Sequence, residues 1–124
     1  MPHFMVILRA DPAQYMHLSP EQIQDLLERF NAWGGKLAAQ GRIKDGKKLT
    51  DEGGRVLEQR SGRVAVKDGP YGETKEIVGG VYFITANDYD HAVELCRDQP
   101  NLSLPGGTLE IREVDWMGET PPAD

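Results

Sequence analysis

The order of apolar patterns along these 124 residues predicts an α+β domain, an antiparallel sheet with two helices packed on one face. Two observations carry that expectation. Short Val-, Ile- and Leu-rich runs open the chain, recur in its second half and close it, as strands do. Two capped segments with apolar residues three and four apart separate those runs, as amphipathic helices do.

Residues 4–10 are short and almost wholly apolar, a buried strand. Phe4, Val6 and Leu8 share one face; Met5 and Ile7 share the other, with His3 and Arg9 at its ends. Both faces therefore need cover. A long helix follows, with Ser19 as N-cap, Pro20 at the first helical position and Gln22 completing a capping box. Ile23, Leu26, Leu27, Phe30, Leu37 and Ala38 fall on one face, and Gly41 takes the C′ position. Gly34 and Gly35 interrupt this helix at a cost of about 1 kcal/mol each relative to Ala. Gly34 lies on the apolar face, which suggests close approach of a strand.

Asp45-Gly46 and Glu52-Gly53-Gly54 read as turns. Residues 55–60 and 63–67, joined by Ser61-Gly62, form a hairpin with Val64 and Val66 facing inward. Residues 78–86 are a further strand. Asn87 or Asp88 caps a shorter helix to about residue 97, with Tyr89, Ala92, Val93 and Cys96 on its apolar face and Pro100 stopping it. Leu109 and Ile111 alternate with Glu110 and Arg112 in a last strand. One domain over 1–116 and a frayed tail over 117–124 complete the reading. The order β-α-β-β-β-α-β, with an extra hairpin element, fits a ferredoxin-like sandwich. Its second sheet face still carries Met5, Ile7 and, by parity, either Val81 and Phe83 or Tyr82 and Ile84. A second subunit is the cheapest cover, so a homodimer is expected.

The net charge of −6, with no stripe of Lys and Arg, argues against gripping nucleic-acid phosphates or an anionic membrane. No stretch approaches the roughly 20 apolar residues that span a bilayer, and the first residues lack signal-peptide organisation. The single cysteine, Cys96, suits a reducing cytoplasm and sits where core packing accounts for it. His3, His17 and His91 are scattered and match no metal-ligand spacing, so neither metal nor cofactor is expected. Nucleophile-elbow, phosphate-cradling and dinucleotide fingerprints are missing from the sequence.

Residues 67–80, K-D-G-P-Y-G-E-T-K-E-I-V-G-G, concentrate turn residues and charges. Asp68 is suited to an Asx-turn, Gly69 to the restricted geometry before Pro70, and Gly72 to a positive φ. Glu73, Lys75 and Glu76 would then supply a carboxylate acid or base beside a cation. The alternative is that Asp68, Gly69 and Pro70 only build the turn while the charges face water.

The run D-G-P-Y-G-E-T-K-E-x-x-G-G-x-Y resembles the D-G-P-F-x-E-T-K-E signature of DGPF proteins within the YCII-related (YciI-like) family, with Tyr71 in the place of Phe. The element order over about residues 4–114 resembles that family too. The resemblance implies a ferredoxin-like subunit paired into a dimeric α/β barrel. It also implies a cleft in which relatives place a His from the first helix beside an Asp ending the second. Asp98 matches that Asp; Phe30 holds the histidine position, so the His–Asp pair is not reproduced. One branch of the wider family includes a dehydrochlorinase acting on a chlorinated hydroxybenzene. DGPF proteins tend to be encoded beside extracytoplasmic-function sigma factors, which implies a regulatory partner. Asp98, Glu73 and Lys75 are the resulting catalytic candidates; Asp68, Tyr71, Thr74 and Glu76 are the candidates for holding a small polar or aromatic ligand. The expected function is a small-molecule enzyme or ligand-binding barrel, and the alternative a non-enzymatic accessory protein.

Overall fold

The computed structural model describes residues 1–69 and 76–122. Strand β1 (His3–Ala10) leads through a 3-10 turn to helix α1 (Pro20–Ala39) and strand β2 (Ile43–Lys48). A hairpin of β3 (Arg55–Arg60) and β4 (Arg63–Asp68) follows, then β5 (Ile77–Thr85), α2 (Tyr89–Cys96), a 3-10 turn (Pro100–Ser103) and β6 (Thr108–Glu113). The main sheet has the order β2-β5-β1-β6, antiparallel throughout. With the hairpin set aside as an insertion, this is the ferredoxin-like arrangement that the sequence predicts.

Local chemistry starts both helices where expected. Ser19 accepts from the Gln22 N–H while the Gln22 side chain accepts from the Ser19 N–H, a complete capping box. Asp88 caps α2 by accepting from the His91 N–H. Both helices bury against the same sheet face. Phe4, Val6, Leu8 and Ile84 from the strands meet Trp33 and Leu37 from α1 and Ala92 and Cys96 from α2. On α1 the buried stripe is narrower than the pattern suggests: Ile23 and Leu27 are exposed, Phe30 is half-buried, and Trp33 is the large residue that sinks. Val93 is likewise exposed, and Leu95 packs toward the core instead.

Parity resolves on the opposite face. Met5 pairs with Phe83 and Ile7 with Val81, so these four make one half-buried apolar stripe. Arg9 and Glu110, ion-paired, and Arg112 flank it on one side, Asp45 and Lys47 on the other.

Three local expectations need correction. Asp45-Gly46 is no turn; it lies inside β2 beside a register shift. Gly46 faces Tyr82 across the ladder, where a Cβ would stand 2.7 Å from the ring, so glycine here makes room for an aromatic side chain. Gly34 is not forced by close approach either, because a Cβ there would meet the Ile43 side chain at an ordinary 3.8 Å. Finally, Val64 and Val66 face outward with Leu57, all more than 60% exposed. The hairpin forms its own two-stranded sheet, so the main core does not dictate which of its faces turns in. Its Ser61-Gly62 turn has positive φ at both residues, as a two-residue hairpin loop requires.

Candidate functional site

The candidate site lies where α1 and the segment after α2 meet. Trp33, 3% exposed, sends its indole Nε1–H to the Leu95 carbonyl at 3.1 Å, which ties the middle of α1 to the last turn of α2. Lys36 stands three residues beyond Trp33, so it emerges on the same side of the helix one turn further on. Asp98 follows α2 by two residues, and Lys36 donates to its carboxylate. Beyond Asp98 the chain is clamped to the sheet. Gln99 accepts the Asn101 N–H at 2.6 Å, and the Asn101 amide donates to the carbonyls of Arg9 and Thr108 at 3.0 and 2.9 Å.

These elements enclose an open cleft of about 560 Å³, lined by Arg29, Trp33, Lys36, Arg97, Asp98 and Gln99 together with apolar atoms of Pro100 and Leu102. The Lys36 ammonium, hydrogen-bonded to Asp98, holds that carboxyl below the ordinary carboxylate range, although partial burial pushes the other way. Asp98 is therefore an anion at neutral pH and a weak base. Beneath it, burial, aided by the Asp98 charge, pushes the Cys96 thiol up to about 11, which makes it a packing group and no nucleophile. Among the described residues, no three of His, Cys, Asp and Glu gather closely enough to hold a metal ion.

Of the residues singled out from sequence, Asp98 lies in this cleft. Asp68 ends β4 with its side chain 89% exposed and 3.6 Å from Arg55, away from the cleft lining. Its expected Asx-turn has no donor, because Pro70, two residues on, lacks an N–H. Gly69 has a defined task instead: its N–H donates to the Gly54 carbonyl, and a Cβ would stand 2.1 Å from the Gly53 carbonyl oxygen. Glu76 is half-buried just before β5, near Gly106. Tyr71, Glu73, Thr74 and Lys75 lie outside the described residues.

Sequence reasoning missed Lys36, Trp33 and Gln99. The resemblance directed attention to α1 for the partner of Asp98, but to Phe30, which packs against the core. The partner is Lys36, which stands in the last turn of α1 and is brought to Asp98 by the fold, with no local signal to mark it.

Comparison with known proteins gives one relative and one family. An uncharacterized protein of Rhizobium meliloti (strain 1021), R00369, is 36% identical over 59 residues, 48% of this chain. The match spans about half, 48%, of that relative's length. The YCII-related domain profile matches residues 3–117, nearly the whole of the fold described above. The chain therefore belongs to the YCII-related family.

Proposed function

We propose that this chain is a DGPF-type YCII-related protein that pairs into a dimeric α/β barrel and binds a small polar or aromatic molecule in the Asp98 cleft. The observation that carries the reading is the Lys36–Asp98 pair at the mouth of a cleft floored by Trp33. A fixed carboxylate and ammonium beside the exposed apolar side chains of Ala32 and Leu102 suit a ligand with a polar head and an apolar body. Where turnover occurs, Asp98 is the base and Lys36 the electrostatic clamp; a depressed carboxylate is weakly matched to taking up a proton at neutral pH. Binding is thus the primary role. The dimer would cover the stripe of Met5, Ile7, Val81 and Phe83. The buried, unpaired Cys96 accords with a cytoplasmic setting, and no described helix is long and apolar enough to cross a membrane.

A thermal-shift screen of small carboxylic acids and phenols tests the cleft. At least one compound should raise the melting temperature of the wild type and not of Lys36→Met; a flat screen would sink the reading. Light scattering tests the dimer, and a mass of one chain at micromolar concentration would remove it.

A second reading, an accessory protein associated with an extracytoplasmic-function sigma factor, is favoured by the outward apolar face of Leu57, Val64 and Val66 on the hairpin. Loss of sigma-factor co-purification on Val66→Lys is the outcome it requires.

A further inference from the structure

Gln99 carries the one buried side-chain polar atom among the described residues that lacks a hydrogen-bond partner, its Nε2. The residue is 1% exposed and forms part of the cleft wall. Its Oε1 accepts the Asn101 N–H, which fixes the other terminus as the amide nitrogen. A buried donor left without an acceptor is costly, and native proteins keep such groups where a ligand or water completes them.

The charge around it narrows the choice. The lining presents Arg29, Lys36 and Arg97 against a single carboxylate, Asp98, within a chain of net charge −6. Asp25 lies 3.4 Å from Arg29 and Glu94 lies 2.7 Å from Arg97, so the cations are held in place from outside this lining. A neutral carbonyl would satisfy the amide, but it would not use the surrounding cations. An inorganic anion would use them, but not the apolar surface of Ala32 and Leu102.

We infer that Gln99 Nε2 donates to the oxygen of a small organic carboxylate, seated with its charged head among the cleft's cations and its apolar body against Ala32 and Leu102. The inference rests on the cleft being a ligand site, as proposed above, and names the chemical class that it takes.

The test is a titration of ¹⁵N-labelled wild-type protein with sodium benzoate, benzamide and inorganic phosphate, following the Gln99 side-chain amide and the Trp33 indole N–H. Benzoate should move both signals saturably, and benzamide and phosphate should move them far less. Gln99→Glu keeps the acceptor for Asn101 and replaces the donor by an oxygen; it should weaken benzoate by about tenfold or more. Should that variant not fold, the wild-type titration decides alone. Movement of Trp33 without Gln99 would leave the cleft standing and overturn the role of Gln99. Benzamide or phosphate matching benzoate would overturn the organic anion. Silence of both signals with all three probes would overturn the cleft reading itself.

Discussion

Lys36 on α1 donates a hydrogen bond to Asp98 across 62 residues of sequence, and so joins the last turn of one helix to the segment leaving the other. Both side chains remain about half exposed, at 49% and 58%, so solvent screens the pair. Lys36→Met should therefore cost only about 0.2–1 kcal/mol in urea unfolding near neutral pH. The sign with pH is fixed by the direction of the shift. The folded-state carboxyl of Asp98 is lowered, so its contribution is present above the unfolded-state value and fades as pH falls through the folded one. The stability gap between wild type and Lys36→Met should close in strong acid. A gap that widens on acidification would contradict the pairing.

Trp33 joins three things: the core, the α2 carbonyl of Leu95 and the floor of the cleft. Its ring also meets Tyr82 edge-on at 5.1 Å. Trp33→Ala should cost about 3–5 kcal/mol, the range for deleting a buried indole. Trp33→Phe should cost less while still losing the bond to Leu95. A urea midpoint for Trp33→Ala within error of wild type would show that the indole is not a core residue.

Cys96 offers a simple check on packing. It is 3% exposed, and burial together with the Asp98 charge raises its thiol to about 11. The native protein at neutral pH should react with a disulfide reagent only as fast as it opens, and fully once unfolded in guanidinium. Rapid reaction of the native thiol would place Cys96 at the surface.

What the sequence disclosed was local, and what it withheld was long-range. Ser19, Pro20 and Gln22 announce the start of α1 because a capping box is complete within four residues. The two faces of β1 follow from strict alternation, and the burial of Phe4, Val6 and Leu8 repeats it. Asp45-Gly46 misled because its glycine answers to Tyr82 on a neighbouring strand and not to a turn. Val64 and Val66 misled because alternation says which residues share a face, but not which face finds the core. Asp98 was reached through the resemblance. Lys36 was not, since nothing local distinguishes it from any other lysine near a helix end. Only the fold brings it to Asp98.

Gly69 and Gly35 should respond in opposite directions to the same substitution. At Gly69, a methyl group would lie 2.1 Å from the backbone carbonyl oxygen of Gly53, which no rotamer change relieves. The base of the hairpin would have to shift, with the Gly69 N–H to Gly54 bond at risk, so Gly69→Ala should destabilise by about 1–3 kcal/mol. At Gly35, on α1, nothing lies within 4 Å of the added carbon, and the gain in helix propensity should stabilise by about 0.5–1 kcal/mol. Differential scanning calorimetry of the two variants decides the matter. A Gly69→Ala variant melting at the wild-type temperature would mean that the glycine of the D-G-P-Y run is not needed for the turn. The run would then have to be explained by what it contacts. A lower melting temperature, with benzoate binding at the Asp98 cleft unchanged, would assign that glycine to the fold and leave recognition to the cleft.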